Sequence, residues 1–274
     1  NAMNYGLDRL KKNELPFCLR LIREIHQRLL KGVRGEMREP GQFRRDQNYI
    51  GPKGCSIETA TFVPPPVNEM TKCLDNLEKF LHHQDRIPPL VRVALIHAHF
   101  ETIHPFRDGN GRIGRLLITL FLCQQNILKQ PLLYLSHYFK NNRRLYYDNL
   151  QAIRDMGDWE EWIKFFLKGI YSVAQAAAVT ARNIIALHES DRKLILLKLG
   201  GASHNALALL DKLYDLPLVS ANKVSKLLGV SSATANTLIR KLVGISILIE
   251  TSNKKRNRTF RYQKYWDTMY ADKP

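Results

Sequence analysis

Two apolar segments, residues 90–103 and 111–128, flank a short stretch that holds one proline and the run Gly109-Asn110-Gly111. The first carries Leu, Val, Ala and Ile on most of its sides, which predicts a helix buried all round at the centre of a bundle. Pro88-Pro89 opens it, and Pro105 ends it, because the residue before a proline is driven out of helical geometry. Helical periodicity resumes at Gly111. A chain built on such a hairpin must wrap further helices around it, and the sequence supplies them. Leu19, Ile22, Ile25, His26 and Leu29 recur at spacings of three and four within residues 15–30, as do Met70, Leu74, Leu77 and Leu81 within 67–82. The same period runs over 141–154 and 159–171 and continues through an alanine-rich stretch to His188.

The chain has 274 residues, enough for two domains each burying its own core. Its formal charge of +17 favours an anionic partner: a nucleotide, a nucleic acid or an acidic protein surface. Cys18, Cys55, Cys73 and Cys123 have no C-x-x-C spacing, which argues against a zinc site or a disulfide framework and fits a reducing cytoplasm. No apolar run reaches membrane-spanning length, the longest candidate being residues 113–123, so no membrane partner is expected. Asn1 and Ala2, ahead of Met3, are left out of the expected fold.

Residues 104–115 place chemistry on a loop between two rigid helices. Gly109, Asn110 and Gly111 fall at a helix N-terminus, where free N–H groups and the helix dipole can cradle phosphate. Arg112 and Arg115 are neighbours on one helix face, and guanidinium forks suit phosphate oxygens. Asp108 offers a hard oxygen ligand for magnesium. His104 can take a hydroxyl proton near neutral pH, and Phe106 is expected to anchor the loop in the core.

The stretch His104-Pro-Phe-Arg-Asp-Gly-Asn-Gly-Arg-Ile-Gly-Arg115 matches every fixed position of His-Pro-Phe-x-Asp/Glu-Gly-Asn-Gly-Arg-x-x-Arg, so the chain resembles the Fic proteins. Pro40-Gly-Gln-Phe-Arg-Arg-Asp-Gln-Asn-Tyr-Ile-Gly51, Ala60-Thr-Phe-Val-Pro-Pro-Pro66 and Tyr134-Leu-Ser136 extend the resemblance to members with an N-terminal Fic subdomain. It implies that His104 deprotonates a Ser, Thr or Tyr hydroxyl of a target protein, which attacks the α-phosphate of ATP and releases pyrophosphate. Asp108 would hold Mg2+; Gly109, Asn110, Gly111 and Gly114 would line the phosphate site, with Arg112 and Arg115 on the outer phosphates. By the same analogy residues 48–63 form a hairpin flap that docks the target strand through Asn48, Tyr49, Ile50, Thr61, Phe62 and Val63, and Tyr146 and Tyr147 lie beside the adenine.

Related Fic proteins carry an inhibitory Ser/Thr-x-x-x-Glu-Gly/Asn helix whose glutamate pairs with the second arginine. The only comparable spacing here, Ser246 to Glu250, is followed by Thr251 in a predicted strand and is not that motif. Arg115 is therefore expected to be unpaired and the chain active as it stands.

Beyond a boundary between Glu189 and Ser203 the chain is more basic: from Arg192 on, 15 Lys and Arg face 5 Asp and Glu. Residues 220–228 and 232–243 predict a helix-turn-helix about Gly229, and 245–251 and 259–262 predict two strands around a basic tip, as in a winged helix. Thr234, Asn236, Thr237 and Arg240 would then face the major groove of DNA, and Lys254, Lys255 and Arg256 its phosphates.

The expected fold is mainly α: a Fic-type helical bundle with a small β-hairpin flap, then a winged helix-turn-helix domain. The parts are a subdomain at 4–66, a catalytic core at 67–190 and the winged domain at 200–274. The leading expectation is a protein adenylyltransferase using ATP and magnesium on a protein hydroxyl, itself included. The alternatives are a nucleotide-sensing transcriptional regulator, removal of AMP from a modified target, or transfer of another nucleotide. A homodimer is left open.

Overall fold

The computed structural model describes residues 1–12, 14–32, 37–83, 86–131, 133–252, 254 and 257–270. The chain divides into two units, Asn1–Gln175 and Ala176–Pro274. The boundary expected between residues 189 and 203 lies within or just past one continuous helix, because the alanine-rich stretch propagates helix without a breaker until Gly200-Gly201.

The first unit is helical. Its elements are α1 (Ala2–Lys11), α2 (Leu19–Leu30), α3 (Val67–His82), α4 (Pro89–Ile103), α5 (Asn110–Gln124), α6 (Leu135–Asn141) and α7 (Arg143–Met156), together with the N-terminal part of α8 (Trp159–Leu199). α4 is the central helix, as its all-round apolarity predicts: Val93, Ala94, Ala98 and Phe100 are wholly buried. Pro89 sits at the first helical position, where its missing N–H costs nothing. Trp162 of α8 donates its indole N–H to the Ala94 carbonyl at 3.0 Å, fixing the pair through a buried polar contact. Leu21 and Ile25 of α2 and Ile113 and Leu120 of α5 complete the core.

α1 was not expected. Asn1 caps it by accepting the Asn4 N–H at 2.9 Å, and Ala2 is buried, so these two residues belong to the fold. Between α2 and α3 the flap is a single antiparallel bridge, Ile50 to Phe62, rather than two regular strands.

The second unit places α9 (Ser203–Asp215), β1 (Leu218–Val219), α10 (Ala221–Leu228), α11 (Ser232–Gly244), β2 (Leu248–Glu250), β3 (Phe260–Tyr262) and α12 (Gln263–Tyr270) around a second core. The strands form an antiparallel sheet of order β1-β3-β2. Gly229, in left-handed conformation at φ 66°, turns α10 into α11, and Ser220 and Ser231 cap their N-termini. Ile195 of α8 is buried in this core, and the equally buried Asp191 accepts the Tyr262 hydroxyl at 2.7 Å.

One expectation is corrected by composition. The stretch Trp159–Asp215 is long and apolar enough to cross a membrane by those criteria alone. Cys18, Cys55, Cys73 and Cys123 all carry free thiols.

Candidate active site

His104 is the C-cap of α4 and adopts the left-handed conformation, φ 48° and ψ 58°. This is not the extended geometry that a following proline favours, and a non-glycine residue there stores strain. Surrounding donors hold it. Its carbonyl accepts from Arg44 Nε at 3.2 Å and from Asn48 Nδ2 at 3.5 Å, and Arg44 N–H donates to the Pro105 carbonyl at 2.8 Å.

The chain then turns over Phe106, which is fully buried and stacked on the His26 ring with centroids 3.7 Å apart. His26 Nδ1 accepts the Gly41 N–H at 2.8 Å, so its Nε2 carries the proton and donates to the Asp108 carbonyl at 2.9 Å. Gly109 follows at φ 84°; a Cβ there would lie 3.3 Å from His26 Nε2. Glycine is required both by the turn and by that approach.

α5 starts at Asn110, and its first backbone bond runs from Ile113 N–H to the Gly109 carbonyl at 2.9 Å. The N–H groups of Asn110 and Gly111 therefore lie ahead of the first helical hydrogen bond, where with the helix dipole they can receive an anion. Asp108 Oδ1 accepts the Gly109 N–H at 2.5 Å and lies 3.5 Å from Arg112 Nη2. Among the described residues no group of three or more His, Cys, Asp or Glu side chains converges on a metal position. One carboxylate beside an anion-binding helix end is nonetheless the donor set that suits magnesium, which takes its other oxygens from phosphates and water.

Three expected ligands have different roles. The Asn110 side chain is 2% exposed and spends both polar ends on Phe106, accepting its N–H and donating to its carbonyl, so only its backbone faces the anion site. Gly114 is turned toward α4, where a Cβ would fall 2.5 Å from Glu101 Oε1 and 3.2 Å from His97 Cε1. It is a packing glycine beneath the site. Tyr146 is buried, with its hydroxyl 3.0 Å from His97 Nε2 and its ring against Phe139, so it is a core residue and not an adenine wall. Tyr147 is 50% exposed.

In the flap, Tyr49, Thr61 and Val63 are exposed, and Ile50 and Phe62 exchange both backbone hydrogen bonds at 2.8 and 3.0 Å. Asn48 is directed to the loop, donating to the carbonyls of His104 and Phe106. In the second unit Thr234, Asn236, Thr237, Arg240 and Lys254 are exposed; Lys255 and Arg256 lie outside the described residues.

The electrostatics beneath the loop are dominated by burial. Desolvation pushes the His104 imidazole down to about 4, and the nearby cations Arg154 and Arg44 act in the same direction. The Glu101 carbonyl opposes this, although its geometry to the buried Nδ1 falls short of a hydrogen bond. Desolvation lowers His97 to about 3 and raises the Glu101 carboxyl to about 7 against the pull of Arg115 and Arg154.

The sequence reading missed His26, Arg44, His97 and Glu101 as supports of this site. Three lie within apolar helical periodicity and read as ordinary helix positions. Arg44 lies in a loop where nothing in its neighbours marks it as 1% exposed.

Residues 16–122 match the Fic/DOC family. This stretch of the chain is a Fic domain. A protein adenylyltransferase Fic of Aedes aegypti is 32% identical over 167 residues, 60% of this chain and 30% of that protein. One from Culex quinquefasciatus is 30% identical over 167 residues, with the same 60% and 30% coverage. The chain thus spans less than a third of the length of these relatives. In fold, a Fic family protein from Desulfovibrio desulfuricans G20 is similar with a TM-score of 0.55 at 20% identity, over 94% of this chain and 72% of that one.

Proposed function

We propose that this chain is a protein adenylyltransferase. A Ser, Thr or Tyr hydroxyl of a target attacks the α-phosphorus of ATP, the bond to the β-phosphate oxygen breaks, pyrophosphate leaves, and His104 takes the hydroxyl proton. The observation that carries this reading is the short loop that joins His104, at the C-cap of α4, to the N-terminus of α5 behind left-handed Gly109. His104 Nδ1 is buried, which leaves Nε2 to serve as the base. The N–H groups of Asn110 and Gly111 receive phosphate oxygens, with Arg112 beside them, and Arg115, on the same helix face, takes the outer ones. Asp108 would hold magnesium, which when bound neutralises phosphate charge. The target strand is read as adding beside Thr61 and Val63, whose side chains are exposed, and Tyr147 as meeting the adenine.

Intact mass of the purified chain and of added protein extract, with ATP and magnesium, tests the reading. A gain of one AMP that His104→Ala abolishes, with ATP binding retained, supports it. No AMP on any protein with the unsubstituted chain refutes it.

A second reading rests on α11. Its outward residues Thr234, Asn236, Thr237 and Arg240 follow a tight turn, and Lys254 stands between β2 and β3, in an element order that matches a winged helix-turn-helix. We infer DNA contact by this unit. A mobility-shift titration across salt decides it, since phosphate contacts must weaken steeply as salt rises.

A further inference from the structure

We propose that Arg44 and Arg154 form a two-point clamp that registers the flap against His104. This rests on the adenylyltransferase reading and adds to it two positioning residues, which act through the flap and the His104 turn.

Arg44 is 1% exposed, and every hydrogen bond from its guanidinium goes to a backbone carbonyl. Nε reaches His104 at 3.2 Å, Nη1 reaches Asp46 at 3.1 Å on one stem of the flap, and Nη2 reaches Pro65 on the other. One planar fork thus joins both flap stems to the residue that serves as base. A lysine could not span the three acceptors, because it offers a single point of donation.

Arg154 makes the second attachment from α7. Its guanidinium carbon lies 3.5 Å from the centroid of the Phe62 ring, at the bridge that closes the flap. Nε donates to Thr102 Oγ1 at 3.2 Å and Nη2 approaches the Glu101 carbonyl at 3.5 Å, both on the last turn of α4. The remaining donor bonds Gln151 Oε1 at 3.3 Å. All acceptors of both guanidiniums are neutral, so their positive field is not cancelled at hydrogen-bond distance. The groups facing His104 are then Arg44 from the flap stem, Arg154 from α7, the Glu101 carbonyl of α4 and Asp108 of its own loop. The two cations oppose protonation of the imidazole, while the carbonyl and the carboxylate favour it.

The geometry explains why a flap with a single bridge can hold a docking strand in place. Its bridge has only the two hydrogen bonds between Ile50 and Phe62, but the stems and the closing aromatic are each tied to the turn of α4 that carries the base. Target register and base position are therefore set by the same side chains.

Hydrogen exchange followed by mass spectrometry on the full chain tests the clamp independently of catalysis, with variants Arg44→Lys and Arg154→Ala. Exchange across residues 48–63 should accelerate at least about tenfold in each, while α4 and α8 around Trp162 keep their protection. The His104 ring, followed by NMR over a pH series, should titrate at higher pH in Arg154→Ala, where a cation is removed. AMP transfer should fall at least about tenfold in each, with affinity for a non-hydrolysable ATP analogue unchanged. If Arg44→Lys does not fold, Arg154→Ala and Phe62→Leu carry the test from the half-buried side. Unchanged flap exchange in both variants overturns the clamp. Absence of AMP transfer in the unsubstituted chain would overturn the enzymatic reading instead, with the exchange result still deciding the clamp.

Discussion

Asn110 Nδ2 donates to the Phe106 carbonyl at 2.7 Å while its Oδ1 accepts the Phe106 N–H at 2.9 Å, so one side chain satisfies both backbone groups of one loop residue. The contact closes the turn between α4 and α5 and fixes the left-handed Gly109 at the anion-binding end. Asn110→Ala leaves a buried donor and a buried acceptor without partners, each costing about 1–3 kcal/mol. A loss of about 2–4 kcal/mol in urea unfolding is expected. Asn110→Asp, which can accept but not donate while ionised, should fall between. A loss below about 0.5 kcal/mol in the alanine variant would mean that the loop closes without this side chain.

Gly114 and Gly201 make a controlled pair. A Cβ on Gly114 would lie 2.5 Å from Glu101 Oε1 and 3.2 Å from His97, whereas at Gly201 nothing lies within 4 Å. Gly114→Ala should destabilise by about 1–3 kcal/mol through overpacking between α4 and α5. Gly201→Ala should be neutral or slightly stabilising. Thermal unfolding of both variants reads the difference, and equal melting temperatures would contradict the close approach of the two helices.

The helices about this site were legible because their signals are local. Pro88-Pro89 and Pro105 bracket α4, and its all-round apolarity correctly marks the central helix. The start of α5 just after Gly109 was equally open to reading, since helical periodicity resumes there. The supports were not. Glu101 and His97 occupy positions whose neighbours are apolar, and only the packing of α5 against α4 makes them buried polar groups. Arg44 could be recognised only once the His104 and Pro65 carbonyls, distant in sequence, meet its guanidinium. Tyr146 and Tyr147 are adjacent and point to different environments; the sequence supplied the aromatic pair but not the rotation of α7 that buries the first.

That rotation predicts unlike effects for the two tyrosines. Tyr146→Phe keeps the ring in the core and removes the hydroxyl that meets His97 Nε2 at 3.0 Å, so stability should fall by about 1 kcal/mol with nucleotide affinity unchanged. Tyr147→Ala, on an exposed residue, should leave stability within about 0.5 kcal/mol and weaken ATP binding if its ring meets the adenine. Calorimetric titration with a non-hydrolysable ATP analogue, beside thermal unfolding, separates the two. A weaker affinity in Tyr146→Phe would return that residue to the nucleotide site.

The buried carboxyl of Glu101 sets an unusual pH dependence. Burial raises it to about 7 from an ordinary value of 4.5, so the folded chain holds a proton that the unfolded chain has released. Its stabilising contribution is complete below about 4.5 and is lost as pH rises through 7. His97 and His104 act with the opposite sign. Burial lowers them to about 3 and about 4, so the stability they confer is present above 6.5 and lost as pH falls toward those values. Comparing the urea midpoints of the unsubstituted chain and Glu101→Gln isolates the carboxyl, because the histidines are common to both. The variant should gain relative stability steadily from pH 5 to pH 8. A difference that stays flat across this range would place the carboxyl in a solvated setting. Under the adenylyltransferase reading, the same variant separates two sources of pH dependence in AMP transfer. With His104 pushed down to about 4, an inflection in rate near 7 is expected from Glu101, whose carboxyl faces Arg115, and should vanish in Glu101→Gln. An inflection that persists there would assign the titration to another group.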